Sequence, residues 1–452
     1  MLTYQDFLKE TENKSTDALI SFVEKAIKEH RSDPMVKIAN LADEYDEQQN
    51  TTIMTYTRMF YTFNGRQVMD QTSSNNKIAS NFFHRLNVQR NTYLLGNGIE
   101  FAKEDIKEKL GKGFDGAFKR AGYNALIHGL TFLFWNHDKV YNFKLREFKP
   151  FWDETDSSLR AGIRFWQLDD TKPLHAVLYE EDGYTTFAEE SNNKRLTITQ
   201  EKRSYITRYA HTELDGDVIV GEFNYSSLPI VPFWGSPLHQ STLIGMRPNI
   251  DAYDLIKSGF ANDLDDCQLI YWLITNASGM DEGDLAQFRD RLKLTHIAKV
   301  DRDQTVTPYT QDVPYNARET LLTRIRSDIY EDFGGLDVHA IQAGATNDHI
   351  EAGYQPLDEE ADDFEFQCTD CIKQILALQG IEEEPVYKRN RISNMTETVN
   401  MVMSTAEYLD EETVLKKLPF ITVDEVDEIM KRKSGEETKL FNPQDPEAGD
   451  GE

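Results

Sequence analysis

Cysteine is nearly absent from these 452 residues: Cys267, Cys368 and Cys371 are the whole supply. A sparse, odd count excludes a secreted scaffold stapled by disulfides. Long hydrophobic runs are missing as well. The longest apolar stretch, near Leu269–Ile274, is far shorter than the ~20 residues that a membrane-spanning helix needs. The opening MLTYQDFLKE has neither a basic n-region nor an apolar h-region, so no signal peptide is expected and synthesis belongs in the cytoplasm. Positive charge is in deficit. The 49 Lys and Arg face 78 Asp and Glu, a formal net charge of −29. Proteins that grip nucleic acid through phosphates carry a basic stripe that displaces counterions. The balance here argues against that mode and suits a surface that faces a polyanion without holding it.

Catalytic signatures are lacking too. The nearest approach to a phosphate loop, Leu110-Gly111-Lys112-Gly113, has neither the spacing nor the hydroxyl of Gly-x4-Gly-Lys-Ser/Thr. No nucleophile elbow, His-Glu-x-x-His or dinucleotide fingerprint occurs. Cys368 and Cys371 form a lone Cys-x2-Cys, and a zinc site needs four ligands. Three apart on a helix, they share one face and are expected as small buried side chains. The acid pairs Asp169-Asp170, Asp265-Asp266 and Asp362-Asp363 have the residue type of a glycosidase or two-metal nuclease. A chain this acidic produces such pairs by chance, and they are expected as solvated surface. The same holds for the six acids between Asp358 and Glu365, unless that run lines a pore. The ten His are scattered. No metal, cofactor or enzymatic activity is expected.

What is present is a mixed pattern long enough for two to four structural regions. The first 50 residues read as helices. Thr16 is a candidate N-cap, and Pro34 sits after Asp33 where a first-turn proline is tolerated. Ile78, Phe82, Leu86 and Tyr93 lie on one helical stripe that stops at Gly96-Asn97-Gly98. More helix is expected between Lys103 and His128. From Leu130 the period changes. LTFLFWN and KVYNFKLREF around His137-Asp138 read as a hairpin, and further strands follow to LPIVPFW with turns at Asp182-Gly183 and Asp215-Gly216. RPNIDAYDLIKSGFANDLDD is helical. CQLIYWLIT, HIAKV and TVTPY read as strands around a helix at DEGDLAQFRDRL. A helix resumes after Pro314 and ends at Gly334-Gly335. A small-residue loop follows, then a long helix kinked near Gly353 and Pro356. Thr422 and Glu425 have capping-box spacing at the start of a last helix. The tail from Ser434 is acidic and expected to be disordered.

Five segments, in order, resemble the siphophage-type portal proteins of tailed phages infecting Gram-positive hosts. NKIASNFFHRLNVQRNTYLLGNGIEF is similar to the family's early helix with its Tyr-Leu-Leu-Gly turn. YNALIHGLTFLFWNHD with FKPFWDE resembles its strand pair and Pro-x-Trp/Tyr-Asp stretch. GIRFWQ fits the sheet that follows. LPIVPFWGSPLHQSTLIGMRPNIDAYDLIKSGFANDLDD matches its Pro-Val-Pro-Phe strand, linker and helix. EETVLKKLPFITVDEVDEIMKR resembles its crown segment. The resemblance covers about residues 77–433. It departs after the loop, where HIEAGYQPLDEE stands in place of Ser-Gly-x-Ala-Leu-Lys, and it leaves residues 1–76 unplaced.

The resemblance implies an α+β portal fold. Residues 1–76 are expected as an N-terminal helical part of the wing and 77–245 as its α+β body. Stem helices at 246–266 and 314–333 would bracket an α/β clip at 267–313. A tunnel loop at 334–348, a kinked helix at 349–379, a helical crown at 380–433 and an acidic tail at 434–452 would follow. The implied assembly is a ring of twelve copies, or thirteen in isolation, in the virion at the capsid portal vertex. Its implied partners are double-stranded DNA read without sequence specificity, the terminase large subunit, the head-completion adaptor, and the major capsid and scaffolding proteins. No membrane is involved. His339, Gln342 and Asn347 are the loop candidates nearest DNA. Asp251, Asp254, Asp263, Asp328 and Glu331 are the candidates for an acidic stem lining. Another head–tail connector or minor capsid protein, a carboxylate hydrolase or nuclease, and a helical scaffold without DNA are the competing readings.

Overall fold

The computed structural model describes residues 2–432 except 13–14, 62–64, 71–72, 104, 191–194, 213–215, 268–270, 276–282, 284–286, 288–304, 310–314, 339–346, 392–394, 407, 419–425 and 427–428. Three helices open the chain: α1 (Tyr4–Thr11), α2 (Thr16–Ser32) and α3 (Pro34–Asp46). Ser15, not Thr16, holds the N-cap position of α2. Pro34 starts α3 as expected, because the Asp33 side chain accepts the Met35 amide proton at 2.8 Å and a proline at the first position forfeits nothing. A short helix α4 (Thr51–Met54) and a ribbon of β1 (Met59–Tyr61) and β2 (Gln67–Met69) follow.

The striped helix α5 spans Phe82–Leu95, so it starts four residues later than its apolar periodicity suggests. The reason is a competing set of hydrogen bonds described below. After β3 (Ile99–Phe101), α6 (Asp105–Lys109) and α7 (Phe114–His128), the period changes as expected. The hairpin of β4 (Leu130–Asn136) and β5 (Lys139–Lys144) turns at His137, whose φ is 55°. A five-stranded antiparallel sheet comes next: β6 (Phe148–Trp152), β7 (Leu159–Trp166), β8 (His175–Glu180), β9 (Gly183–Glu189) and β10 (Leu196–Arg203) pair in sequence order. The ribbon of β11 (Ile206–Thr212) and β12 (Gly216–Phe223) leads to β13 (Ile230–Trp234), which returns to pair with β4.

One face of the five-stranded sheet receives α1 and α2 through Phe7, Phe22, Phe151 and Ile163. The three-stranded sheet packs through Phe132, Phe143 and Phe148. Burying such aromatic and aliphatic side chains contributes roughly 1.5–3 kcal/mol each, the main driving force of the fold.

The remaining elements are the long helix α8 (Leu243–Cys267), strands β14 (Tyr271–Thr275) and β15 (Thr305–Tyr309) paired antiparallel, α9 (Tyr315–Phe333), and α10 (Asn347–Ala377). Then come β16 (Pro385–Tyr387), α11 (Met395–Thr405) and α12 (Glu411–Lys417). Pro356 lies inside α10 and Pro248 inside α8. One pairing had no counterpart in the sequence reading: β16 joins β3 across nearly 290 residues. Apart from Gly283 and Gln287, which are helical, the helix at 281–292 lies outside the described residues, as do the strand HIAKV, the Thr422–Glu425 box and the tail. Among the described residues no helix is long and apolar enough to cross a membrane.

Candidate functional site

The helices α8 and α9 pack side by side along their length and bracket the β14–β15 pair. Their upper ends are buried in the body through Leu243, Met246, Ile250, Ile329 and Phe333, against Phe83 and Leu86 of α5. Along one face of α8 runs a polar row: Asp254, Ser258, Asn262 and Asp265. The extended segment 76–80 lies antiparallel on that row. The amide of Asn76 donates to Asn262 Oδ1 at 2.6 Å, that of Ile78 to Ser258 Oγ at 3.0 Å, and that of Ser80 to Asp254 Oδ1 at 2.9 Å. Alternate residues of a strand advance about 6.6 Å and four residues of a helix about 6.0 Å, so the two periods match over three rungs. The three bonds hold residues 76–80 in extended backbone, and a helical turn there would break the register, which is why α5 begins at Phe82.

This ladder changes the reading of the acidic stem candidates. Asp254 is buried and also accepts a bond from the Asn50 side chain. Burial pushes its carboxyl above the usual range and outweighs the bonds from Asn50 and Ser80. Asp251 accepts bonds from Tyr45 and from Thr52 (2.8 Å), with Arg247 at 3.4 Å. Asp254 is thus enclosed in the chain's own packing, and Asp251, half-buried, is held against α3 and α4. Asp263 pairs with Arg318 across the helix pair. Asp328 pairs with Arg324 one turn earlier at 2.9 Å. Glu331 is exposed and takes a 3.3 Å bond from Ser327.

Where α9 ends, the chain is gripped from three sides. Arg90 of α5 is buried, donates to the Phe333 carbonyl, stacks over the Phe333 ring at 4.0 Å and pairs with Glu360 of α10 at 3.0 Å. A cation at the carbonyl end of a helix complements the dipole there. Gln89 engages both backbone groups of Leu336, donating to its carbonyl at 2.9 Å and accepting from its amide at 3.0 Å. Arg326 holds Asp337 at 2.9 Å. Gly334 and Gly335 make this approach possible. A Cβ on Gly334, whose φ is 65°, would sit 2.6 Å from Glu360 Cγ, and one on Gly335 would sit 2.5 Å from Leu86 Cδ2. The result is a fixed base for residues 339–346. His339 and Gln342 lie outside the described residues, and Asn347 opens α10.

The acid run on α10 is a solvated face only in part: Glu359, Asp362 and Asp363 are exposed, but Asp358, Asp362 and Glu365 are drawn into ion pairs. Arg389 collects Asp358 (2.7 Å), Asp362 and Glu365 (3.1 Å), while Arg391 and the Tyr93 hydroxyl also reach Asp358, each at 2.6 Å. Burial pushes the Tyr93 hydroxyl, with the bond to Asp358, up to about 12. For Asp358 burial acts upward, but its bonds from Tyr93, Arg389 and Arg391 prevail and hold it below the usual carboxylate range. The two arginines follow β16 directly and clamp the chain entering α11 onto α10. A sequence signal existed in the Lys-Arg-Asn-Arg cluster at 388–391, which went unread. Cys368 and Cys371 are wholly buried among Leu94, Phe364 and Ile372, and burial pushes both thiols well up. Among the described residues no three His, Cys, Asp or Glu gather as a metal site.

With this geometry in place, the class of the molecule is a phage structural protein: residues 24–439 match the family described as "Phage portal protein, SPP1 Gp6-like", and the chain belongs to that family. Two relatives are portal proteins. That of Clostridium phage phiCD119 is 24% identical over 395 residues, covering 79% of this chain and 84% of its own length. That of Bacillus phage SPP1 is 23% identical over 447 residues, covering 89% of this chain and 83% of its own. A solved structure titled as the neck of a native GTA particle computed with C12 symmetry aligns at TM-score 0.42 and 11% identity, over 75% of this chain and 89% of that one.

Proposed function

We propose that the chain closes into a ring of twelve copies at one capsid vertex and forms the conduit for double-stranded DNA during packaging and ejection. The family match over residues 24–439 carries this reading. In it, α8 and α9 are the stem, and residues 267–313 are the clip on which the terminase large subunit and later the head-completion adaptor dock. Residues 334–348 form the tunnel loop, with His339, Gln342 and Asn347 nearest the duplex. Major capsid and scaffolding proteins surround the wing. The virion is its place of work.

The charge fits a conduit. DNA carries about one negative charge per 1.7 Å of axis, and a basic lumen would hold it through counterion release. An acidic wall repels it weakly, and salt screens that repulsion beyond ~8 Å. Of the stem acids, Glu331 keeps this role outright, and Asp263 and Asp328 do so only as halves of ion pairs with Arg318 and Arg324. The tunnel-loop base supports the reading as well, because a loop that brushes moving DNA needs anchored ends.

The test is negative-stain electron microscopy with mass photometry on the purified protein and on protein extracted from procapsids. The expected result is a ring with a central hole and a mass about twelve times 52.2 kDa. A monomer from both sources, at every protein and salt concentration, would overturn it.

A further inference from the structure

Asparagine precedes glycine twice in this chain, at Asn64-Gly65 and Asn97-Gly98. Asparagine is thermolabile, most of all before glycine, which has no side chain to shield its amide nitrogen from the neighbouring carboxamide. Asn64 lies outside the described residues. Asn97 is exposed in the turn between α5 and β3, and Gly98 has a φ of 80°. A Cβ on Gly98 would sit 2.8 Å from Asp115 Oδ2 and 3.8 Å from Lys107 Nζ, and these two pair with each other at 2.8 Å. A carboxylate and an ammonium thus stand beside the residue whose amide must lose its proton for the carboxamide to be attacked.

One bond restrains Asn97. Its side-chain amide donates to the Lys388 carbonyl at 2.9 Å, just beyond the β3–β16 pair. Further along, the Asn390 amide donates to the Tyr93 carbonyl at 2.9 Å, and Arg389 and Arg391 grip Asp358. Residues 385–391 therefore form a strap fastened to the end of α5 and to α10, and they lead on to α11. The β3–β16 pairing is three residues long, too short to hold the strap alone.

We propose that Asn97 is a site of self-modification that unfastens this strap irreversibly. The Gly98 amide nitrogen, its proton taken by hydroxide or by the Asp115 carboxylate, bonds to Asn97 Cγ. The Cγ–Nδ2 bond breaks, the nitrogen leaves as ammonia, and a cyclic imide remains. Water then opens either carbonyl of the imide, giving aspartate or isoaspartate, and no oxidant or reductant takes part. Both products set a carboxylate against the Lys388 carbonyl, two acceptors with no proton between them. Isoaspartate also adds a carbon to the backbone, which moves Ile99 out of register with Tyr387. The bond to Lys388 holds the carboxamide in place, so attack follows opening of the strap and the product prevents reclosure.

The test is peptide mass spectrometry on the folded full chain after incubation at mildly alkaline pH. Asn97 is expected to convert, with isoaspartate among the products. Arg391→Ala, which frees the strap more often, should speed that conversion about tenfold while leaving Asn64, the same dipeptide, at its parent rate. Asn97→Asp, with a parent-like circular dichroism spectrum, should be cut by trypsin after Arg389 and Arg391 several-fold sooner than the parent. An Asn97 that stays intact, or that converts equally fast in Arg391→Ala, would overturn the assignment. Parent-like cleavage of Asn97→Asp would overturn its effect on the strap.

Discussion

His30 shows how much a single side chain contributes here. It is buried beneath the five-stranded sheet, and its Nε2 lies 2.7 Å from the Leu145 carbonyl, so that nitrogen carries the proton. Burial lowers its pKa to about 4, with the nearby Lys149 charge acting in the same direction. The unfolded chain binds a proton near pH 6.5 that the folded chain accepts only near pH 4. Stability from this group is therefore complete above the unfolded value and is lost as pH falls through that window, by about 3 kcal/mol in total. His30→Gln keeps a donor for Leu145 and does not titrate. Its melting temperature should fall less than the parent's between pH 6.5 and pH 5, read by calorimetry. Equal slopes would show that other groups dominate. Few of these residue roles are written locally. Asp33 before Pro34 announces a cap, because the partners are adjacent in sequence. Asp254 announces nothing: its acceptor role depends on Asn50 and Ser80, two distant segments brought to it by the fold. Periodicity alone put it on a helix face but could not say which face turned inward.

At the scale of elements, the junction between segment 76–80 and α8 is the most demanding. Asp254→Ala would leave the Ser80 amide and the Asn50 side-chain amide buried without that acceptor. At roughly 1–3 kcal/mol for an unmet buried group, a loss of about 3 kcal/mol is expected. Ser258→Ala removes one acceptor and should cost about half as much. Urea titrations of the two variants measure this, and equal losses would mean the rungs do not act as drawn. Elements with local signals were legible in advance: the β4–β5 hairpin around His137-Asp138, the run to β13, and the helices on either side of β14–β15. Elements made by distant pairing were not. β3 and β16 are three residues each, and neither has a pattern of its own; they exist as strands because the Arg389–Arg391 clamp and the Asn97 bond to the Lys388 carbonyl bring them together. The late start of α5 has the same origin, since its first apolar residue, Ile78, is helical by pattern but held in extended backbone by the rungs to α8.

For the whole molecule, acidity and the absence of catalytic motifs were readable from composition, and the order of five motif segments pointed to the family that the match over 24–439 establishes. The lining of a lumen was not readable, because it belongs to an assembly, and one of the five candidate acids, Asp254, is buried within the chain. The remaining expectation is about DNA passage. Gln342→Lys would add a cation at each copy of the proposed tunnel loop and, through counterion release, hold phosphates that should slide. Packaged genome length per capsid, measured by gel electrophoresis of protected DNA, should fall, and more so at low salt. Normal filling at all salt concentrations would remove Gln342 from the DNA path.

The three rungs between segment 76–80 and α8 also have a mechanical meaning. Bonds set crosswise to the helix axis are in shear when α8 is pushed or pulled along its length, and all three resist at once. A sideways pull opens them one after another, as in peeling. The joint is thus stiff against axial thrust and compliant to tilting. In the ring proposed above, a duplex driven through the centre would load α8 along its length, and the helix would lean before it slips.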